Sequence, residues 1–156
     1  MDAVFKVEAG VFNYRVAGVM IENGHVLIHK QASDGHWALP GGRVQVLEDS
    51  AAGIKRELME ELGFQINVGN LLWVTENFFT YNDNNFHELG FYYQITSKNA
   101  IHNSNEPFFG LEGERLIYKW VPIQELDDIP LYPEFLKTSL KTIPASTHHI
   151  IIKETR

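Results

Sequence analysis

Residues 50–64, SAAGIKRELMEELGF, constrain the fold more than any other stretch of the chain. Helical spacing puts Ala51, Ile54, Leu58 and Leu62 on one stripe and gathers Glu57, Glu60 and Glu61 on one face. Asp49 or Ser50 can cap the start, and Gly63 can end the helix in the left-handed conformation. Gly53 weakens such a helix by about 1 kcal/mol relative to Ala, which marks close backbone packing there. Like charges at these spacings repel by roughly 0.2–0.5 kcal/mol per pair. The carboxylate face is therefore either a solvated surface or a meeting place for something cationic.

The flanks supply strands. In YRVAGVMIENGHVLIHK (14–30) two β-rich runs meet at Asn23 and Gly24, a two-residue hairpin signal because both turn positions need positive φ. QASDGHWALPGGR (31–43) reads as a loop enclosing a short Trp37–Ala38–Leu39 strand, and Val44 and Val46 alternate as another. Residues 64–80 predict one or two strands, 81–85 (YNDNN) a polar loop, 88–96 a strand, 97–108 a polar connection and 116–123 a strand. An acidic QELDD segment follows, then a short helix over 133–141 opening on a proline, and an edge strand at 148–152. Strands punctuated by two or three helices predict a mixed α/β fold with helices packed on a sheet.

Composition narrows the function. The 156 residues carry a formal net charge of −7 and no basic run longer than two residues, which argues against a nucleic-acid partner. With no cysteine, a disulfide framework, a thiolate zinc site and a cysteine nucleophile are all excluded. The N-terminus lacks a signal-peptide pattern, and no apolar run approaches the roughly 20 residues of a membrane helix. The expectation is a soluble, cytoplasmic, single domain over residues 1–156 with no membrane partner. An anionic ligand would need a local counter-charge, such as a bound metal.

Extending the helix back to residue 42 gives GRVQVLEDSAAGIKRELMEELGF, which resembles the Nudix box, G-x5-E-x7-R-E-U-x-E-E-x-G-U with U bulky and aliphatic. Gly42, Glu48, Arg56, Glu57, Leu58, Glu60, Glu61 and Gly63 match; Phe64 is aromatic where an aliphatic residue is usual, a change of packing only. At a background of roughly 6–7% for each fixed Gly, Glu or Arg, the match has odds on the order of 10⁻⁶ over the chain. WALPGG before the box and WVPIQEL after it stand at family-like places.

The resemblance implies a Nudix fold, a mixed β-sheet sandwiched between helices (α/β/α). It implies Mg²⁺, with Mn²⁺ able to substitute, bound by Glu57, Glu60 and Glu61, with Glu48 near the metals and Gly41 offering its backbone carbonyl. Glu57, Arg56 and Glu61 would carry the catalysis. Glu57, or a carboxylate outside the box, helps deprotonate water, and Arg56 orients Glu57 by a charge-assisted hydrogen bond. Arg56 could instead simply pair with Glu60 at i+4.

Outside the box, Glu88 can be read as a base, a further metal ligand or a surface residue. His25 and His29 fall on one face of a hairpin strand, and adjacent His148 and His149 make a poor metal site. Tyr14, Trp37, Phe79 and Tyr81 can stack on a base or fill the core.

The activity implied is hydrolysis of a phosphoanhydride in a nucleoside diphosphate derivative. An isopentenyl diphosphate isomerase would rely on a cysteine that is absent here. A non-catalytic nucleotide-sensing module, the remaining alternative, tends to lose box glutamates, and all are present. The proline typical of ADP-ribose hydrolases is missing. Tyr81 stands where diadenosine polyphosphate hydrolases tend to carry a tyrosine, and the NADH and coenzyme A markers are absent. Nucleoside triphosphates and nucleotide sugars stay open, as do a monomer and a homodimer.

Overall fold

A computed structural model describes residues 1–154. Its strands form two sheets. The larger is mixed: β1 (Val4–Val7), β2 (Gly10–Val19), β7 (Asn84–Thr96), β6 (Asn67–Tyr81) and β10 (His148–Lys153) lie side by side in that order. β5 (Gly41–Arg43) continues the edge of β2 beyond β1. β2 runs parallel to β7, and β10 runs parallel to β6 as the edge strand expected over 148–152. The smaller sheet is antiparallel, β3 (Ile21–Glu22), β4 (His25–Gln31), β9 (Gly113–Pro122) and β8 (Phe108–Gly110). The chain crosses from one sheet to the other at Met20, between β2 and β3.

Period-two alternation divides the interior into two cores. Val16 and Leu27 face the core covered by Ile54 and Leu58 of α1 (Ser50–Leu62). Their neighbours Ala17, Val26 and Ile28 face the opposite core, closed by Leu126 of the 3₁₀ turn (Ile123–Asp128) and Leu136 of α2 (Phe135–Ser139). Helical elements thus cover both faces, the layered α/β arrangement the sequence predicts. Burying a side chain such as Leu58, fully inaccessible here, stabilises the fold by roughly 1.5–3 kcal/mol.

α1 forms as its sequence dictates. Asp49 caps it, accepting from the Ala52 N–H at 2.8 Å, while the Ser50 hydroxyl lies 2.7 Å from Tyr93 Oη instead. Gly63, at φ 72°, ends it and donates to the Met59 carbonyl at 2.9 Å. Gly53 permits close packing: a Cβ there would lie 3.0 Å from Glu48 Oε1. Among the described residues no helix is long and apolar enough to cross a membrane.

Several boundaries differ from expectation. Residues 81–85 are no loop: only Asn82 and Asp83, at φ 49° and 62°, make the turn between β6 and β7. Their polar neighbours belong to the tip of a long hairpin, where composition says loop but the ladder continues. The strand expected at Val44–Val46 sits earlier, at Gly41–Arg43, because only glycine lets the chain lie this close to β2. A Cβ on Gly41 would stand 2.0 Å from the Val16 carbonyl oxygen. Trp37–Leu39 makes only isolated bridges, His29 to Ala38 and Trp37 to Leu131. The helix over 133–141 shortens to five residues, and Glu134 provides no side-chain cap.

Candidate active site

The floor of the site is built by register. On parallel β2 and β7, Asn13 lies opposite Glu88 and Arg15 opposite Gly90; on antiparallel β5, Arg43 lies on the other side of Arg15. Asn13 Nδ2 donates to Glu88 Oε2 at 3.0 Å, and both side chains are buried. Gly90 keeps the floor low, since a Cβ there would lie 2.5 Å from Thr75 Oγ1.

α1 forms one wall, and Arg56 ties it to the loop before it. Its guanidinium donates to both oxygens of Glu48, to Glu57 Oε1 at 2.9 Å, to Glu60 Oε2 at 3.3 Å and to the Arg43 carbonyl at 3.0 Å. Arg56 Nη1 thus reaches both Glu57 and Glu60. The Arg56 bonds hold the Glu48 carboxyl below its ordinary range, and Glu48 in turn raises the pKa of Arg56 still further. Glu57 responds differently. Burial raises its pKa more than Arg56 lowers it. Its carboxylate sits over Gly42, where a Cβ would stand 2.5 Å from Glu57 Cδ.

One turn on, Glu61 is buried, and burial followed by repulsion from Glu57 pushes its pKa up to about 8. Tyr118 Oη donates to Glu61 Oε2 at 3.1 Å, and burial keeps the proton on that phenol. His29 Nδ1 lies 3.7 Å from the same oxygen. That contact is no ion pair, because burial and then Arg15 and Arg115 depress the His29 pKa to about 3.

Glu57 and Glu61 open onto a cleft of about 530 Å³, which Glu88, Arg15, Arg43 and Gly41 also line. The helix face divides here: the Glu60 side chain, 51% exposed, turns outward onto Arg56, and Glu48 stays with Arg56 behind the cleft. Alternation in the β2–β5 ladder turns the carbonyls of Gly41 and Arg43 away from β2, and Arg56 takes the latter. Among the described residues no three His, Asp or Glu side chains are already gathered as a cation cage. The chemistry of the donors still fits a hard divalent cation. Two carboxylates are held against each other in partial burial, the arrangement a cation bound by oxygens would relieve.

Of the aromatics considered, Trp37, Phe79 and Tyr81 reach the cleft, and Tyr81 Oη donates to Asp34 Oδ2 at 2.9 Å. Tyr14 does not; it packs on Phe91 with ring centres 5.3 Å apart. His25 and His29 do share a face, His25 stacking on His102 at 3.8 Å. His149 pairs with Glu76 at 2.7 Å on the surface. Sequence reasoning missed Asn13, Arg15, Tyr118 and Arg43. The signal available for Arg15 was a lone charge inside an otherwise uncharged strand.

Fold and site together define a two-core α/β protein whose first long helix presents paired carboxylates to a cleft beside a Gly-Gly strand. The chain belongs to the NUDIX domain family, whose model matches residues 12–143. It is 40% identical over 63 residues to a MutT-like protein of Streptomyces ambofaciens, covering 40% of this chain and 41% of that relative. The chain thus spans about two fifths of that relative's length. Among solved structures it resembles the MutT NUDIX hydrolase of Burkholderia pseudomallei, with 24% identity, a TM-score of 0.60, and coverage of 85% of this chain and 98% of that one. It also resembles a NUDIX hydrolase of Nitrosomonas europaea, with 20% identity, a TM-score of 0.60, and coverage of 97% and 82%. These structural likenesses establish the fold.

Proposed function

We propose that residues 1–156 act as a single catalytic domain that hydrolyses a phosphoanhydride bond in a nucleoside diphosphate derivative, with Mg²⁺ as cofactor and Mn²⁺ able to replace it. The observation that carries this reading is the Glu57–Glu61 pair, half-buried and buried, facing an open cleft while Arg56 neutralises the carboxylates behind it. Glu57 and Glu61 would hold the metal, with Glu60, Glu48 and the Gly41 carbonyl as outer or additional oxygens. When bound, such a metal screens the diphosphate and lowers the pKa of the attacking water.

The chain's own residues supply the rest. The water oxygen bonds to one phosphorus, the anhydride P–O bond breaks, and the water proton passes to a cleft carboxylate. Glu57 is assigned that proton, because its carboxylate faces the cleft and Arg56 fixes its orientation. Arg56 acts as a positioning residue, holding the Glu57 carboxylate in place. Trp37 and Tyr81 offer ring faces to a base at the cleft mouth.

The test is phosphate release from a panel of nucleoside triphosphates, dinucleoside polyphosphates and nucleotide sugars, with Mg²⁺ and with EDTA, in wild type and Glu57→Gln. Metal-dependent turnover lost in the variant supports the reading. Nucleotide binding without turnover in the wild type overturns it in favour of a sensing module.

A further inference from the structure

The two carboxylates of the cleft are aimed by different parts of the fold. Glu57 is held by Arg56 of its own helix. Glu61 sits one residue from the end of α1, where carbonyls find no donor within the helix. The smaller sheet holds it at both ends. The Leu111 N–H, just beyond β8, donates to the Glu61 carbonyl at 2.7 Å. Gly110 allows that approach, because a Cβ there would press on the same carbonyl and stand 3.0 Å from Tyr118 Cε2.

The carboxyl end is met by β9. Tyr118 lies opposite His29 of β4 on one side and Phe108 of β8 on the other. The three rings form a row, with centres 5.5 Å and 5.7 Å from the tyrosine. Tyr118 is fully buried, so its neighbours fix the direction of its hydroxyl, which donates to Glu61 Oε2 at 3.1 Å. Among the described residues this is the single hydrogen bond that the Glu61 carboxyl makes. His29 Nδ1, 3.7 Å from the same oxygen, lies beyond hydrogen-bond reach.

A glutamate side chain has several rotatable bonds, and ordering them at the moment of binding lowers affinity. A buried phenol that has already fixed the carboxylate removes that cost.

We propose that Tyr118 is a positioning residue for Glu61: its hydroxyl occupies Oε2 and holds the carboxylate ready to offer Oε1 to the metal, while the turn after β8 fixes the helix end beneath it. The inference rests on the metal role proposed for Glu61, and it makes the smaller sheet a determinant of metal affinity. Groups that orient metal-binding side chains commonly change affinity by about 10–100-fold when removed.

The test reads metal binding without turnover. Mn²⁺ affinity is measured by electron paramagnetic resonance, without substrate, in wild type, Tyr118→Phe, Glu61→Gln, the double variant and Phe108→Leu, with thermal melts in EDTA reporting on the fold. Tyr118→Phe keeps the ring between His29 and Phe108 and deletes only the hydroxyl. It should stay folded and bind Mn²⁺ about tenfold more weakly, and saturating Mn²⁺ should restore most of its kcat. The double variant should bind no more weakly than Glu61→Gln alone, because Tyr118 acts through Glu61. Phe108→Leu disturbs the packing of the row but keeps the hydroxyl, so it should melt lower and hold its Mn²⁺ affinity within about twofold.

Wild-type Mn²⁺ affinity in Tyr118→Phe, with affinity lost in Glu61→Gln, overturns the positioning role and leaves the metal site standing. Affinity that falls in step with melting temperature in both Tyr118→Phe and Phe108→Leu overturns it too, by showing a structural effect. Wild-type affinity in Glu61→Gln overturns the metal assignment itself. Weakened Mn²⁺ binding in Tyr118→Phe beside a wild type silent on every phosphoanhydride overturns the hydrolase reading and supports the positioning role.

Discussion

Arg56 grips both oxygens of Glu48, Nε to Oε2 at 2.7 Å and Nη2 to Oε1 at 2.9 Å, eight residues apart in sequence. This bidentate pair staples the loop before α1 to the helix, and the remaining Nη1 aims Glu57. Replacing Arg56 by Lys removes the fork but keeps the charge. Arg56→Lys should therefore lower stability by about 1–3 kcal/mol and cut turnover at least tenfold. Urea unfolding and steady-state kinetics measure the two effects; a variant with wild-type values for both would refute the staple.

Glu57→Gln removes a carboxylate that burial already disfavours in its charged form. The metal-free variant should melt no lower than wild type, while turnover falls by roughly 10²–10⁴. Loss of fold in this variant, seen by circular dichroism, would mean that Glu57 is structural.

The Glu61 carboxyl titrates at about 8 in the fold against an ordinary value of 4.5, so the native chain keeps a proton that the unfolded chain loses. Its contribution to stability is therefore greatest below about pH 4.5 and falls as pH rises through the window to about 8. Glu57 shifts in the same direction. In EDTA the melting temperature should drop between pH 6 and pH 8.5. Glu61→Gln should flatten that drop, and Mg²⁺ should reverse it in the wild type through binding to the native state. A melting temperature that climbs over this range in EDTA would contradict the environment assigned to Glu61.

Gly42→Ala would set a methyl 2.5 Å from Glu57 Cδ, at the end of a side chain that can swing aside. The fold should survive with a modest loss of melting temperature, and turnover should fall because Glu57 is displaced. Gly41→Ala meets backbone instead, 2.0 Å from the Val16 carbonyl oxygen, and should unfold β5 from β2. Equal stability in the two variants, compared by thermal melts, would count against the β2–β5 geometry.

Much of this protein is written locally. Asp49, Gly63 and the stripe of Ile54 and Leu58 specify α1 without reference to the rest of the chain, because capping and helical periodicity act within a few residues. Asn23 and Gly24 specify a turn for the same reason: both adopt positive φ. The box residues were legible as a motif through their spacing alone, which led to family membership. Polar composition misled at 81–85, where the outward-facing tip of a hairpin resembles a loop.

Tertiary structure decided which groups meet. Spacing put Glu57, Glu60 and Glu61 on one face, yet Glu60 turns out onto Arg56 while Glu57 and Glu61 line the cleft. Strand register brought Arg15 to Arg43 and Asn13 to Glu88, pairs separated by 28 and 75 residues. Hydrogen-bonded pairing between distant strands leaves no periodic trace in either strand alone. The sequence therefore determined the elements and the carboxylates, while pairing across the sheet determined what faces them.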